Sequence, residues 1–332
     1  MCRRHLAGGL TALSPTGTYS VRMHAGTLFA IGGAEAKLRR RHVLRSFVVE
    51  AGGAEARIAV VPSASSLGLE VVEVYQAVFT SLGAGEVMAV RPESRADAQD
   101  PELVGTLDRA TGVFMTGGNQ LKLSAYIAGT PFGDAIHRAY HRGAAVGGTS
   151  AGASILADHM IAFGTGGSTP QQRMSQLAVG LGLITGVVID QHFEQRNRYG
   201  RLMSLVAQSP SLLGIGVDED TAAVVRGGNV IEVVGRGAVT IVDGQHLITN
   251  AFAAKRTAPL LMSGAIIHVL PAGSQFDLAH RQLLTHTTPV VDSEVEEVRA
   301  AENDFGQLAR DIAAEGVPPT NYARRLRRGT HS

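Results

Sequence analysis

The chain has 332 residues, of which 45% are hydrophobic, and its 30 Lys and Arg residues nearly balance its 29 Asp and Glu residues. This length allows one long domain or two, while the net charge of +1 excludes a strongly basic surface that would make nucleic acid or a membrane the main partner. The one cysteine, Cys2, excludes an internal disulfide framework and a thiolate zinc site.

The first 26 residues favour a disordered extension over a signal peptide. Arg3 and Arg4 precede a weakly apolar run over residues 6–13, but that run holds two glycines and ends in Ser-Pro-Thr-Gly. It is short for the apolar region of a signal peptide. Because no stretch approaches 18 uninterrupted apolar residues, we expect no membrane span and a cytoplasmic protein.

Apolar runs then alternate with helical patterns. Residues 71–82 carry apolar side chains at helical spacing, and six apolar runs are typical of buried strands: 27–33, 57–65, 86–90, 112–120, 144–148 and 186–193. Buried strands separated by helices predict an α/β fold, with a mostly parallel sheet covered by helices on both faces.

From residue 213 the pattern changes to short strands joined by glycine-rich turns. The turn at 227–229, Gly-Gly-Asn, predicts a hairpin, and residues 265–273 predict one more strand. We expect these strands to form an antiparallel extension of the same sheet. Residues 27–284 then form a single domain. We interpret 285–332 as a tail with one amphipathic helix and a basic disordered end, rather than as an arm for an acidic partner.

The sequence Gly-Gly-Ala-Glu-Ala occurs twice, at residues 32–36 and 52–56. The first copy follows a predicted strand and therefore lies at the carboxyl edge of the sheet. The second copy precedes a strand and lies at the opposite edge. Ligands bind outside the carboxyl ends of parallel strands, so only the first copy is expected to face a site.

Ser150 lies in the sequence Gly-Thr-Ser-Ala-Gly, after the strand at 144–148 and before a predicted helix at 151–157. This is the context of a serine nucleophile on a sharp strand-to-helix turn. Gly148 and Gly152 leave room for such a turn, and the backbone N–H of Ala151 is expected to face a developing oxyanion. A serine that only caps a helix is the structural alternative.

His192 comes just after the predicted strand residues 187–190 and is the candidate general base, on the same sheet edge as Ser150. The next strand ends in Asp218, Glu219 and Asp220, and the residues alone do not decide which of them orients the histidine. The order Ser, His, acid differs from the order Ser, acid, His of the α/β-hydrolases. This difference counts against an esterase or a lipase.

Two further features are expected near Ser150. The glycine pair in Thr-Gly-Gly-Asn-Gln offers a second oxyanion N–H, from Gly118, although such a pair is also an ordinary turn. Arg196, Arg198 and Arg201 follow the proposed base and offer bidentate contacts to substrate carboxylates, although clustered arginines usually form a solvated surface. The residues therefore predict a serine hydrolase for a carboxylate-bearing, peptide-like substrate.

Six motifs resemble those of the cyanophycinases, a serine peptidase family, in the same order over residues 27–281. They are AIGGAEAK, FMTGGNQLKL, GGTSAGA, GLGLITGVVIDQHFEQRNRYGRL, GIGVDEDTA and HVLPAGSQFDLAHR. The most specific part is Asp-Gln-His-Phe followed by three spaced arginines. The resemblance implies a fold like class I glutamine amidotransferases (flavodoxin-like), a homodimer, an intracellular location and no metal or organic cofactor. It also implies release of β-Asp-Arg dipeptides from cyanophycin, a poly-aspartate backbone that carries arginine on each side chain.

Carried over motif by motif, the resemblance implies that Ser150 is the nucleophile, His192 the base and Glu219 the acid. It also implies a substrate pocket lined by Gln120, Asp190, Gln191, Arg196, Arg198 and Arg201. Our hypothesis for substrate contacts pairs Asp190 with the substrate guanidinium and the arginines with the substrate carboxylate.

Three positions depart from the family pattern. The family carries an acid where this chain has Ala36 and Asn119, and an asparagine where it has Asp220. These changes remove no proposed catalytic group, but they bear on substrate binding. Three alternatives stay open: a related aspartyl dipeptidase that cuts short Asp peptides, an esterase, and a non-catalytic binding protein on the same scaffold. The presence of all three triad residues disfavours the last.

Overall fold

The computed structural model describes residues 25–286. Its α-helices are α1 (His42–Glu50), α2 (Leu69–Ser81), α3 (Pro101–Arg109), α4 (Gln120–Ile127), α5 (Pro131–His141), α6 (Ala151–Ser154) and α7 (Tyr199–Gln208). Two short 3-10 helices span Gly53–Glu55 and Asp97–Gln99.

The strands form two large sheets and one short ribbon. They are β1 (Leu28–Ile31), β2 (Arg57–Val61), β3 (Glu86–Ala89), β4 (Gly112–Met115), β5 (Ala145–Thr149), β6 (Ala157–Gly164), β7 (Ser175–Val179), β8 (Ile184–Gln191), β9 (Leu213–Val217), β10 (Thr221–Arg226), β11 (Val230–Gly235), β12 (Ala238–Asp243), β13 (Ile248–Thr249), β14 (Met262–Ser263), β15 (Ile266–Pro271), β16 (Gln275–Asp277) and β17 (Gln282–Thr285).

The first sheet has nine strands in the order β17-β16-β11-β10-β1-β5-β4-β2-β3. Strands β1, β5, β4, β2 and β3 pair in parallel. On the other side of β1, strands β10, β11, β16 and β17 pair antiparallel. The hairpin predicted at residues 227–229 is confirmed as the turn between β10 and β11.

The second sheet has six strands in the order β15-β12-β9-β8-β6-β7. Its inner strands β9, β8 and β6 are parallel, while β7, β12 and β15 run antiparallel to their neighbours. Strands β13 and β14 form a separate two-stranded ribbon. The fold is therefore mixed α/β with two large sheets.

Successive side chains of a strand point to opposite faces of the sheet, so the side chains of the first sheet enter two apolar cores in turn. In β1, Leu28 and Ala30 enter the core shared with the second sheet. Phe29 and Ile31 enter the core beneath α1 and α2. A ring cluster that includes Phe47 of α1 fills this second core, where the Phe29 and Phe47 centroids lie 5.3 Å apart. Helix α7 packs on the outer face of the second sheet.

One part of the predicted architecture is wrong. The runs at 186–193 and from 213 were expected in one mostly parallel sheet with an antiparallel extension, but β8 and β9 lie in the second sheet. The helix expected at 151–157 is only four residues long, and the strand β6 begins at Ala157. Both sheets bury their inner faces in one core, so a continuous apolar run does not reveal the sheet to which it belongs.

The predictions for the N-terminal extension and the C-terminal tail lie outside the described residues. Among helices within residues 25–286, none is long and apolar enough to cross a membrane.

Candidate active site

Ser150 lies on the turn between β5 and α6, with a φ of 52° and a ψ of −108°. A positive φ is costly for a residue with a Cβ and persists only where the surroundings hold it. The Ser150 N–H donates to the carbonyl of Ile31 at the end of β1, at 2.9 Å. The sharp strand-to-helix turn expected at this serine is therefore present.

The glycines on both sides of Ser150 allow close packing at this turn. A Cβ added to Gly148 would lie 2.5 Å from the carbonyl oxygen of Met115, and one added to Gly152 would lie 2.2 Å from the same atom. Real Cβ atoms do not approach this closely, so the Gly-x-Ser-x-Gly spacing follows from packing of the turn on β4.

Ser150, His192 and Glu219 form a chain of hydrogen-bonded side chains. The Ser150 Oγ lies 3.0 Å from His192 Nε2, and His192 Nδ1 lies 2.5 Å from Glu219 Oε1. Such distances allow proton transfer from a serine to a histidine that a carboxylate orients.

The histidine reaches the serine across the junction of the two sheets. Ser150 follows β5 of the first sheet, whereas His192 follows β8 of the second. The expectation that they share one sheet edge is therefore wrong. A backbone bond joins the two edges: the His192 N–H donates to the carbonyl of Gly32, just after β1, at 2.7 Å.

The three adjacent carboxylates after β9 have different surroundings. Glu219 reaches His192, and its backbone N–H donates to Gln195 Oε1 at 3.0 Å. Asp218 is buried and accepts from the N–H groups of Glu194 and Ala238. Asp220 accepts from the Ala36 N–H at 2.8 Å. Only Glu219 of these three contacts the histidine.

The two proposed oxyanion donors belong to segments that adjoin Ser150. Ala151 is the first residue of α6, and the first N–H groups of a helix have no acceptor within the helix. The glycine loop after β4 lies against the serine, because a Cβ added to Gly117 would be 3.4 Å from Ser150 Cβ. Gly118 has a φ of 141° and packs on the Ala64 carbonyl.

Asp190 does not face substrate as hypothesised. Its side chain is fully buried, and its carboxylate forms ion pairs with Arg198 and with Arg201. The Nε of Arg201 donates to Asp190 Oδ2 at 2.6 Å, and a second Arg201 nitrogen donates to Oδ1. The pairing of Asp190 with a substrate guanidinium is therefore corrected, because a buried charge needs partners and Asp190 finds them within the chain.

Arg198 connects this buried pair to the site. Its Nη1 donates to Gln191 Oε1 at 2.8 Å, and Gln191 Oε1 also lies 3.4 Å from Ser150 Oγ. Burial lowers the pKa of Arg198 to about 10, although the charge of Asp190 opposes that shift. Arg198 therefore keeps its charge at neutral pH.

The remaining predicted pocket residues differ in exposure. Arg196 is exposed and close enough to Arg198 for the two charges to repel. Gln120 uses its amide nitrogen to bind the carbonyls of Ile161 and Ala162 in β6, at 3.0 and 2.9 Å. Arg196 is therefore the exposed residue among the three arginines, while Gln120 helps to hold β6.

Sequence reasoning gave no role to Glu35, which lies buried beside the serine turn. Its carboxylate accepts from Thr149 Oγ1 and Tyr75 Oη, both at 2.5 Å, and from Lys37 Nζ at 2.9 Å. Burial raises the pKa of Glu35, but the charge of Lys37 and the hydrogen bonds together lower it by more than burial raises it. The pKa of Glu35 therefore lies below its ordinary value. The sequence feature that could have identified Glu35 was the first Gly-Gly-Ala-Glu-Ala copy, which was expected at the carboxyl edge of the sheet. In the second copy, Glu55 is exposed.

No group of three or more His, Cys, Asp or Glu side chains in the described part of the chain is arranged to hold a metal ion.

The chain is similar in sequence to known proteins. Residues 28–233 match the family described as Peptidase family S51. The cyanophycinase of Synechococcus elongatus is 40% identical over 262 residues, which cover 78% of this chain and 81% of that protein. The cyanophycinase of Geminocystis herdmanii (strain PCC 6308) is 39% identical over 253 residues, which cover 76% and 93%.

A solved structure shares the fold. The crystal structure of a peptidase from an acI-B1 Actinobacterium superposes with a TM-score of 0.58 at 24% identity, covering 77% of this chain and 98% of that one. With the match over residues 28–233 and relatives at 40% identity, the chain belongs to peptidase family S51 and is a serine-type peptidase.

Proposed function

We propose that this protein hydrolyses the poly-aspartate backbone of cyanophycin from the chain end, releasing β-Asp-Arg dipeptides. The observation that carries the proposal is the hydrogen-bonded chain of Ser150, His192 and Glu219 in a protein about 40% identical to cyanophycinases. No metal or organic cofactor enters the proposed reaction.

In the proposed reaction, Ser150 Oγ attacks the carbonyl carbon of the scissile peptide while His192 Nε2 takes the serine proton. Glu219 accepts the Nδ1–H of His192 and stabilises the imidazolium that forms. His192 then gives its proton to the leaving amine, and an acyl ester remains on Ser150. Water, deprotonated by His192, then attacks this ester; the ester bond breaks, His192 returns the proton to Ser150 Oγ, and the acyl fragment leaves with a new carboxylate.

The tetrahedral intermediates carry a negative oxygen that needs donors in place before the reaction. We assign this role to the N–H groups of Ala151 and Gly118. Ala151 begins the helix that follows Ser150, and the glycine loop after β4 packs against the serine. Fixed backbone donors stabilise the charge without reorganisation at the moment of reaction.

The substrate carries a carboxylate on every arginine branch, and we assign its recognition to Arg196, assisted by Arg198 and Gln191. Arg196 is exposed, and a guanidinium binds a carboxylate with two parallel hydrogen bonds. Gln120 lines the same pocket through its remaining amide oxygen. Asp190 and Arg201 form the buried pair behind these residues rather than contacts to the substrate.

The test is digestion of insoluble cyanophycin by the purified protein, with products identified by mass spectrometry. We expect β-Asp-Arg, and we expect Ser150→Ala to lower the rate at least about ten-thousandfold because a triad without its nucleophile loses most of its acceleration. Ser154→Ala is the matched control, since Ser154 is a buried serine in α6, four residues after Ser150, and its hydroxyl donates to the Ile189 carbonyl instead of bonding the histidine.

Short Asp-containing dipeptides supply the competing arm of this experiment. Hydrolysis of the dipeptides with cyanophycin left intact would replace the proposal with an aspartyl dipeptidase activity. An unchanged rate in Ser150→Ala would overturn the mechanism for either substrate.

A cytoplasmic location and a homodimer, both implied by the resemblance, remain proposals. Light scattering on the purified protein measures the oligomeric state, and a mass of twice 34.8 kDa is the expected result.

A further inference from the structure

The loop after β1, residues 32–37, contacts the segments that carry all three proposed catalytic side chains. The Gly32 carbonyl accepts from the His192 N–H at 2.7 Å. The Gly33 carbonyl accepts from the N–H of Asp220, the residue after Glu219, at 2.9 Å. Glu35 binds Thr149, the residue before Ser150. One short loop therefore joins the serine, histidine and acid segments, which belong to two sheets.

Glu35 makes the contact to the serine segment through a buried carboxylate. Its side chain is 1% exposed, and its two oxygens accept three hydrogen bonds. Lys37 compensates the negative charge, and Tyr75 ties it to α2. Burial of a charge with several partners holds the group in one geometry, because any movement leaves a polar atom unpaired.

The contact to Thr149 bears directly on the strained turn. Thr149 ends β5, and Ser150 follows with its positive φ of 52°. A residue in this conformation needs support from its neighbours. The Ser150 N–H bond to Ile31 supports one side of the turn, and the Glu35 bond to Thr149 Oγ1 fixes the residue just before it.

We propose that Glu35 is a positioning residue, which holds the Ser150 turn in its reactive geometry by accepting the Thr149 hydroxyl within a network closed by Tyr75 and Lys37. The inference rests on the proposed function, since Glu35 acts through the serine nucleophile. It adds to the proposed function a residue that affects the reaction rate although its side chain touches neither the substrate nor the reacting atoms.

The experiment measures the second-order rate of Ser150 labelling by a small fluorophosphonate, together with kcat and KM on soluble cyanophycin and the melting temperature. Glu35→Gln keeps the shape and removes the charge. We expect labelling and kcat to fall about tenfold to a hundredfold, the cost of a small misplacement of a reacting group, with KM changed by less than about twofold.

Glu50→Gln is the matched control. Glu50 also accepts a threonine hydroxyl, from Thr27 at 2.8 Å, and an arginine, Arg226 at 2.5 Å, but it lies at the other end of β1. We expect it to label at the wild-type rate. A melting temperature lowered in Glu35→Gln with wild-type labelling and kcat would reduce Glu35 to a structural role and overturn the proposal.

Two variants of Thr149 separate the hydroxyl from the rest of the network. Thr149→Val should lose labelling to about the same degree as Glu35→Gln, and the double variant should lose little more, because residues that act through one bond are not additive. Thr149→Ser keeps the hydroxyl and should retain most of the rate. Additive losses in the double variant would contradict the assignment.

The labelling assay does not depend on which substrate the protein cuts. A wild-type protein that labels at Ser150 but leaves cyanophycin intact would refute the proposed substrate while the Glu35 comparison proceeds. A wild-type protein that does not label would refute the nucleophile and, with it, the positioning role.

Discussion

At the scale of single residues, the site contains three non-glycine residues with a positive φ. Ser150, His192 and Asp220 all have positive φ values, of 52°, 48° and 51°. Ser150 and His192 belong to the hydrogen-bonded chain, and Asp220 directly follows its third member, Glu219. Conformations of this kind cost of order 1–3 kcal/mol each and tend to occur at functional sites. The site is thus built at the expense of local backbone stability.

Asp220 also carries an energetic cost from burial of its charge. We therefore predict that replacing Asp220 with asparagine stabilises the fold by an amount that depends on pH. Burial raises the pKa of Asp220, and the charge of Glu35 adds to it, while the Ala36 N–H bond opposes it. The folded protein therefore holds this proton more tightly than the unfolded chain. The ionised carboxylate is penalised in the fold, and the penalty is absent in acid and grows as pH rises through the raised pKa.

Asp220→Asn should therefore raise the melting temperature at pH 7 by about 2 °C, the response of a domain of this size to a stabilisation of under 1 kcal/mol. Asparagine keeps the acceptor for Ala36 and tolerates a positive φ. Thermal melts at pH 4 and pH 7 check this. The gain should shrink towards pH 4, and a gain of the same size at both pH values would show that backbone preference, not ionisation, is responsible.

At the scale of elements, the loop between β1 and α1 connects the two sheets at the site. Gly33 has a φ of 103°, and a Cβ added to it would lie 2.3 Å from Cε1 of the His192 ring. The glycine thus lets the loop backbone pack directly against the imidazole. The Gly32 carbonyl, in turn, accepts from the His192 backbone.

Gly33→Ala should move His192 and lower kcat by about a hundredfold, the effect of displacing a catalytic group by about 1 Å. The positive φ adds a stability loss of about 1–2 kcal/mol. Gly83→Ala is the control: Gly83 has a similar φ of 95°, but no described atom lies within 4 Å of an added Cβ. Steady-state kinetics and urea unfolding on both variants separate the clash from the strain. Equal activity in the two would contradict the packing argument.

At the scale of the whole molecule, one apolar core joins the two sheets. It contains Leu28 and Met115 of the first sheet together with Ile189 and Val217 of the second. Helix α6, which begins just after Ser150, contacts strands of both sheets. The site therefore lies where the two sheets meet above a shared core, and neither sheet alone carries it.

This arrangement predicts that the site and the fold are lost together. In a urea titration, fluorophosphonate labelling of Ser150 and far-UV circular dichroism should decrease with the same midpoint, as expected for one cooperative unit. Loss of labelling at a clearly lower urea concentration than loss of secondary structure would show that the sheets separate before they unfold.

The local features of this protein follow from the sequence alone. The six apolar runs located β1 to β5 and β8, because burial on both faces demands continuous apolar side chains, whereas β6 and β7 were not predicted. The Gly-x-Ser-x-Gly spacing predicted the turn at Ser150, and the ends of two later apolar runs identified His192 and the acids 218–220 as candidates. Each of these depends on neighbours a few residues away.

The choices among distant partners needed the tertiary structure. Nothing in the runs at 186–193 and 213–217 distinguishes a second sheet from the first, since both sheets bury the same kind of strand. Asp190 looked like a substrate contact until its two arginines were seen to pair with it. Glu35 and Thr149 are 114 residues apart, and only the pairing of β1 with β5 brings them together. Sequence periodicity reports which side chains are buried, whereas the packing of the two sheets decides which of them meet.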